Sequence, residues 1–213
     1  MTYCVFCDEE KMKKDVIHTQ KNFFAAVGLS LVTPGHVMII TRGHYACFGD
    51  LPEGLDQEYS EFEKKLRDKI SEKFHEPFLV EYAGKRVQSV YHGHAHFIPL
   101  KGKGYEIKSI VEEMPFAAGI SVEEVDRKRL REIYRNEGDY VSFKEKGKLY
   151  VCHTKGIVYD EKNQNPGLNY PAFFKKKGLE FPGWQNMSED YRVVDEQKRK
   201  ETKEKVLFPI SQR

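Results

Sequence analysis

The sequence lacks long hydrophobic runs and any excess of one charge. No apolar segment approaches the roughly 18 residues that a membrane span needs, and residues 1–10 lack the basic then apolar order of a signal peptide. The 35 basic and 33 acidic side chains leave a net charge of only +2, which gives no general attraction for nucleic acid. We therefore expect a cytoplasmic protein without membrane contact, in which any anion site is local.

Cysteine is also scarce, with four in 213 residues, and no segment repeats internally. Cys4 and Cys7 form a Cys-x-x-Cys pair, which in a reducing compartment is typical of a metal half-site or a redox pair. A thioredoxin-like redox pair would lie between a strand and a helix, but only three residues precede this one. A zinc site would need two further ligands from elsewhere in the chain. We expect Cys47 and Cys152 to be small buried residues.

Three histidines at alternate positions, His92, His94 and His96, are the most informative feature of the chain. In a β-strand they would project from one face. With 8 histidines in 213 residues, chance produces such a triplet in about 1% of chains. A row of imidazoles can bind a metal, or one can act as a nucleophile while its neighbours set its tautomer. The alternative is a solvated strand face that is rich in histidine by accident.

Hydrophobic periodicity predicts the elements of the first half. Apolar residues spaced by three or four between Leu55 and Phe74 predict a helix, and Pro77 favours an end just before it. Alternation and turn signals predict a hairpin on one side of this helix and two strands on the other. In chain order we predict strands at 22–31 and 36–41, a helix at 55–74, and strands at 78–82 and 90–100.

The second half is more polar and is predicted to be a separate module. Ser121 and Glu124 have the spacing of a capping box, which predicts a helix at about 122–136. Around Lys146 and Gly147 we predict a second hairpin. The predicted elements are strands at 139–143 and 148–154, a polar loop at 160–167, a short helix at 170–177 and a charged helix at 190–207.

The stretch Gln88-Ser-Val-x-His92-x-His94-x-His96-Phe-Ile-Pro resembles the signature of the histidine-triad superfamily of nucleotide hydrolases and transferases. The early cysteine pair, the hairpin with Thr33-Pro-Gly-His36, Arg42-Gly-His44 and the helix before the triad occur in the same order. The similarity covers residues 1–104. It implies an α+β domain with an antiparallel sheet of about five strands and a packed helix. Residues 105–213 would then be a helix and hairpin extension packed on that domain, and the protein a homodimer.

The resemblance also implies a metal site. Family members that carry the cysteine pair combine it with a histidine after the second strand and the first histidine of the triad. These map here onto Cys4, Cys7, His44 and His92. A closed Cys₂His₂ set of this kind implies a structural rather than a catalytic Zn²⁺. Taken alone, His44 would be interpreted as a surface histidine.

For catalysis, the resemblance implies that His94 attacks the α-phosphorus of a nucleoside phosphate derivative and forms a covalent nucleotidyl-histidine intermediate. His96 would donate to a phosphate or leaving-group oxygen, and Gln88 and Ser89 would donate to phosphate oxygens. His36 is either a buried core histidine or a group near the phosphates. The activity implied is that of a nucleotide hydrolase or nucleotidyl transferase.

Two local departures from the family pattern bear on the substrate. Residues 26–29 contain no carboxylate where many relatives have one that holds the ribose hydroxyls. Lys85 and Arg86 add two cations to the loop before the triad, where they could grip a longer phosphate chain or a nucleic-acid end. As exposed loop residues they would equally be ordinary solvated charges.

Two further functions remain open at this point. The chain could be a zinc-stabilised binding module for a nucleotide or partner, in which the triad is vestigial and residues 105–213 make the contacts that matter. Alternatively, the three histidines could hold a catalytic metal, but such hydrolase sites usually add a carboxylate. The triad strand contains none.

Overall fold

The structure is a computed structural model that describes residues 3–100, 120–155 and 187–207, together with the single positions 179 and 182. The strands are β1 (Val16–Thr19), β2 (Phe23–Ala26), β3 (Val37–Thr41), β4 (Pro77–Ala83), β5 (His94–Pro99), β6 (Val122–Val125), β7 (Tyr140–Glu145) and β8 (Lys148–His153). The helices are α1 (Glu9–Met12), α2 (Asp56–Lys73), α3 (Arg127–Glu137) and α4 (Glu189–Val206). The described strands form one antiparallel sheet in the order β1-β2-β3-β5-β4-β7-β8-β6.

The first five strands and α2 confirm the predicted α+β fold with five strands and a packed helix. Strand β1 was not predicted, because its four residues are too few to show alternation. The predicted strand 22–31 ends at Ala26, where the chain begins an irregular loop that contains Ser30 with φ 58°. The predicted strand 90–100 begins only at His94, so His92 lies in the bend before β5 rather than within the strand.

The two faces of the sheet have different partners. On one face, Ala25, Ile39 and Ala95 pack against the buried stripe of α2, which is Tyr59, Phe62, Leu66 and Ile70 as the periodicity predicted. The other face carries Phe24, Met38 and Ile40. In the β3–β5 ladder, Ile40 pairs with His94 and Met38 with His96. Because paired residues share a face, His94 and His96 lie on the side of the sheet away from α2.

The second half extends the same sheet through the pairing of β4 with β7. The predicted hairpin is confirmed as β7 and β8, and both residues of its turn, Lys146 and Gly147, have positive φ, as in the tight turns that match strand twist. The predicted helix at 122–136 begins instead at Arg127, because residues 122–125 pair with β8. The cap is Asp126 rather than Ser121, and its side chain accepts from the Arg129 backbone nitrogen at 2.7 Å.

The remaining predictions for the second half have mixed outcomes. The predicted charged helix at 190–207 is confirmed as α4. The predicted loop at 160–167 and short helix at 170–177 lie outside the described residues, and the division of the chain at residue 104 stays a prediction. Among the residues that the structure describes, no helix has the length and apolar character that crossing a membrane requires.

A buried carboxylate connects the two halves. Glu81 on β4 accepts hydrogen bonds from the Phe48 backbone nitrogen at 2.6 Å, the Tyr140 hydroxyl at 2.8 Å and the Ser142 hydroxyl at 3.1 Å. The side chain is buried, with a relative exposure of 2%. Burial raises the pKa of Glu81 to about 7, although these three donors and Arg127 oppose the shift.

We predict that Glu81 makes the protein less stable as the pH rises from about 4.5 to about 7. In this window the folded state retains a proton that the unfolded state has lost, so the unfolding free energy falls by up to about 3 kcal/mol. Glu81→Gln cannot ionise and should lack this decrease. Urea unfolding at pH 5, 6 and 7 measures it, with the exposed Glu61→Gln as control. Parallel pH profiles for the parent and Glu81→Gln would contradict the prediction.

Candidate active site and metal centre

Two cysteines and two histidines from distant parts of the chain meet beside the start of β5. Cys4 precedes a single helical turn at Val5–Cys7, and Cys7 ends it. His44 follows β3, and His92 precedes β5. Their ligand atoms all lie within 4.8 Å of one another. The Sγ of Cys7 is 3.1 Å from Nδ1 of His44, and Nδ1 of His92 is 3.4 Å and 3.5 Å from the sulfurs of Cys4 and Cys7. The structure therefore brings together all four predicted metal ligands.

The geometry of this cluster fits a tetrahedral metal ion. Bond lengths of about 2.3 Å to sulfur and 2.0–2.1 Å to nitrogen place neighbouring S and N ligands about 3.5 Å apart. The Nε2 of His92 is 2.7 Å from the Thr41 carbonyl oxygen, so this nitrogen carries the proton and Nδ1 presents a lone pair to the cluster. These distances and the tautomer of His92 allow the cluster to hold a metal ion.

His94 is held as a single neutral tautomer. Its Nδ1 lies 2.6 Å from the backbone oxygen of His92, and because a carbonyl can only accept, Nδ1 carries the proton. The side chain is 5% exposed, and burial lowers the pKa of His94 to about 4. No partner for Nε2 is present in the described parts of the chain. Phe6 packs edge-on against this ring, with the centroids 5.1 Å apart.

His96 is oriented by His36, on the neighbouring strand end. The Val32 backbone nitrogen donates to Nδ1 of His36 at 3.2 Å, so His36 carries its proton on Nε2. That Nε2 is 3.0 Å from Nδ1 of His96, so Nδ1 of His96 is an acceptor and its proton is on Nε2. Burial lowers the pKa of His36 to about 3 and that of His96 well below its ordinary value. His36 is therefore both a buried histidine and a direct contact of the triad.

The predicted phosphate-binding residues Gln88 and Ser89 have different surroundings. The amide of Gln88 donates to the carbonyl oxygens of Ala46 at 2.9 Å and His92 at 3.4 Å, and it accepts from the Gly84 nitrogen at 3.3 Å. Gln88 thus connects the segments around His92. Ser89 is exposed beside it. Their contact with phosphate stays a prediction.

The two loop cations also differ. Lys85 is exposed, with its Nζ 5.5 Å from the centroid of the Tyr91 ring. The Nε of Arg86 is 2.5 Å from Asp139 in the second half of the chain, and its backbone nitrogen donates to the same carboxylate. A carboxylate therefore already compensates the charge of Arg86, and Lys85 is the better placed of the two to meet a long phosphate chain.

Two parts of the site were not foreseen. Phe6 contacts the rings of both His92 and His94, and its position between the two cysteines gives no signal of this. The loop at 28–36 that carries His36 is bonded to Asp195 and Thr202 of α4. These residues lie in a charged segment that looks like an ordinary surface helix.

The first half of the chain is similar to known proteins. Residues 9–103 match the family model of the HIT domain. The curated Protein hit of Bacillus subtilis is 29% identical over 107 residues, which are 47% of this chain and 73% of that protein. A crystal structure of a HIT family member from Bacillus subtilis is 28% identical with a TM-score of 0.40, covering 47% of this chain and 74% of that one. A HIT family hydrolase from Clostridium thermocellum is 22% identical with a TM-score of 0.40, covering 50% and 98%.

The family-model match bears out the resemblance seen in the sequence: residues 9–103, a little under half of the chain, are similar to the HIT domain. The match ends at residue 103.

We predict that the chain binds one metal ion at the four-residue cluster. Cys4→Ser or Cys7→Ser should lose the ion and several kcal/mol of unfolding free energy, because metal binding to the folded site stabilises the fold. Metal analysis and denaturant unfolding with and without a chelator measure both effects. Cys152→Ser, at a buried thiol in another part of the core, is the matched control and should stay sensitive to the chelator. Full metal-free stability of the Cys4 and Cys7 variants would contradict the prediction.

Proposed function

We propose that this protein is a nucleotide hydrolase or nucleotidyl transferase that forms a covalent intermediate on His94. HIT domain membership supports a nucleotide-related hydrolase or transferase activity. The observation that supports an intermediate on His94 is the hydrogen bond from Nδ1 of His94 to the His92 carbonyl. It leaves the lone pair of Nε2 available for attack without a separate base.

The proposed reaction has two steps. Nε2 of His94 attacks the α-phosphorus of a nucleoside phosphate derivative, a P–N bond forms, and the bond from phosphorus to the leaving group breaks. The Nε2–H of His96 donates a hydrogen bond to the leaving-group atom as negative charge builds up on it, and the departing group takes its proton from solvent. Water or another acceptor then attacks phosphorus and releases its proton to solvent, which breaks the P–N bond and restores His94. One difficult displacement is thereby divided into two easier ones.

The substrate contacts follow from the same arrangement. Ser89 would donate to phosphate oxygens near His94, and His36 would act through His96. The amide of Gln88 would reach a phosphate oxygen only by releasing the Ala46 or His92 carbonyl. Lys85 would extend the site toward a longer phosphate chain or a nucleic-acid end. The substrate class is therefore a nucleoside phosphate derivative.

For the metal, we infer a structural Zn²⁺ held by Cys4, Cys7, His44 and His92. Thiolate and imidazole are the ligands that zinc prefers, and a set of four protein ligands leaves no position for substrate. A catalytic metal on the triad is not supported by the geometry. Nδ1 of His92 faces the cysteines, whereas Nδ1 of His94 is used by a carbonyl and Nδ1 of His96 by His36.

We also propose that the protein acts in the cytoplasm as a homodimer, as the resemblance implies. Sedimentation or light scattering of the purified full chain would test the dimer.

We predict that His94→Ala lowers turnover by at least about three orders of magnitude, because the covalent route is lost while the donors to phosphate remain. Nucleotide binding, the fold and the metal content should be unchanged. His94→Gly should regain some activity with added imidazole, which can occupy the vacated space. Turnover of adenosine 5′-phosphoramidate, with trapping of the nucleotidyl-protein by an alkaline denaturing quench that preserves the acid-labile P–N bond, measures these effects.

A contrasting result would support the binding module. That function is favoured if the parent protein turns over no dinucleoside polyphosphate, nucleoside phosphoramidate, aminoacyl adenylate or adenylylated nucleic-acid end, and His94→Ala binds its partner as the parent does.

His96→Ala should behave differently from His94→Ala. We expect it to slow the reaction most for poor leaving groups and least for good ones, because its proton is needed where the departing group is most basic. The rates with adenosine 5′-phosphoramidate and with the 4-nitrophenyl ester of AMP provide the comparison. Equal losses on both substrates would argue against a proton donor at this position.

A further inference from the structure

The loop at residues 28–36, between β2 and β3, carries His36, which contacts His96. Its backbone conformation is unusual. Ser30 is fully buried and has φ 58°, a left-handed conformation that is costly for a residue with a side chain. No hydrogen-bond partner for its hydroxyl occurs in the described residues. Gly35 has φ 85°. A backbone of this kind persists only where its surroundings hold it.

Helix α4 provides that support. The carboxylate of Asp195 accepts from the backbone nitrogens of Ser30 at 3.0 Å and Leu31 at 2.6 Å. Nζ of Lys198 donates to the Leu31 carbonyl oxygen at 3.1 Å. The Thr202 hydroxyl accepts from the Gly35 nitrogen at 2.8 Å. Four backbone groups of the loop are therefore bonded to one helix that follows it by more than 150 residues.

The composition of α4 is consistent with this role. Its buried residues, Asp195, Arg199, Thr202 and Val206, are spaced as one helical face, and three of the four are polar. A surface helix ordinarily buries an apolar face, but here the apolar Val193 and Val194 are 61% and 44% exposed. Two of these polar residues, Asp195 and Thr202, are buried because they bond to backbone groups of the loop.

The helix is itself fixed to the HIT domain. Arg199 and Lys203 both pair with the buried carboxylate of Asp15, just before β1. Val206 is fully buried in the cluster that contains the α2 stripe. Helix α4 is thus a rigid support for the loop.

The backbone nitrogen of Val32 connects the supported loop to His36 and, through it, to His96. The Val32 N–H donates to His36. Val32 directly follows Leu31, whose backbone nitrogen donates to Asp195 and whose backbone oxygen accepts from Lys198. On the other side, the Thr33 hydroxyl donates to the Pro99 carbonyl at the end of β5. The position of this N–H fixes the tautomer of His36, and His36 in turn fixes that of His96.

We propose that Asp195 and Thr202 of α4 are positioning residues for the active site, which hold loop 28–36 so that His36 keeps His96 as an Nε2 proton donor. The inference rests on the function proposed above for His96. It assigns to the C-terminal helix a specificity role: the enzyme can expel poor leaving groups because α4 keeps the donor in place.

Thr202→Val and Asp195→Asn test the proposal in the 213-residue chain. Valine keeps the shape of Thr202 but leaves the Gly35 nitrogen without its acceptor, and asparagine removes one of the two acceptors for Ser30 and Leu31. Thr202→Ser keeps the hydroxyl and should behave as the parent. Glu201→Gln, on the same helix with a side chain that is 41% exposed, is the matched surface control.

The first measurement needs no activity. Imidazole ¹⁵N spectra distinguish the two neutral tautomers, and His36→Ala and His96→Ala assign the signals. We expect the parent, Thr202→Ser and Glu201→Gln to show His96 protonated at Nε2 alone. Thr202→Val and Asp195→Asn should show a mixture of tautomers at His96. Unchanged His96 signals in both variants would overturn the proposal, whatever the protein catalyses.

The second measurement uses the two substrates with different leaving groups. Thr202→Val should lower kcat/KM for adenosine 5′-phosphoramidate by about ten-fold or more and that for the 4-nitrophenyl ester of AMP by less than about two-fold. In a His96→Ala background the same substitution should have no further effect, because the two residues act through one group. Equal losses on both substrates, or an undiminished loss in the His96→Ala background, would show a merely structural role.

The two proposals fail in different ways. If the parent turns over neither substrate but the tautomer shift occurs, the positioning of His96 stands and the catalytic function does not. If both substrates are turned over through His94 but Thr202→Val matches Glu201→Gln in spectra and kinetics, only the positioning proposal fails.

Discussion

The hydrogen bond between Nδ1 of His94 and the carbonyl oxygen of His92 is the interaction on which the site depends. It selects one tautomer of His94 and places the unprotonated nitrogen opposite the backbone. The carbonyl must be held still for this to work, and His92 is constrained at both ends of its ring, by the cysteine cluster at Nδ1 and by Thr41 at Nε2. In the proposed reaction, a metal bound to His92 would influence catalysis without touching substrate, because it would help to hold the carbonyl that orients His94.

A second chain of contacts approaches the site from the opposite side. It runs from α4 through loop 28–36 to His36 and ends at His96. The two chains have no side chain in common, and each ends on a different histidine with a different task. One presents a lone pair and the other a proton, which is the complementary pair of properties that a displacement at phosphorus requires.

The sequence predicted best those features in which a regular spacing is combined with a characteristic residue type. The stripe from Tyr59 to Ile70 identified α2, and the family resemblance carried by the alternate histidines and the cysteine pair implied the four-residue cluster. Two kinds of feature escaped it. Ser121 and Glu124 have the spacing of a capping box, but residues 122–125 form strand β6, because pairing with β8 outweighs the local preference for a helix. The contacts of Asp195 and Thr202 join residues more than 150 positions apart, and nothing in a charged helical segment indicates which face it buries.

The continuity of the sheet has a consequence for assembly. If the chain ended after β5, β4 would be an edge strand with unpaired backbone groups, and such edges invite pairing with other molecules. In this protein β7 already pairs with that edge from Leu79 to Ala83 of β4, so the second half provides the neighbouring strand within the same chain. The edges of the described sheet are instead β1 and β6, two four-residue strands. Among the described strands, β1 and β6 are therefore the edges to which a partner could add a strand, and both lie away from β4.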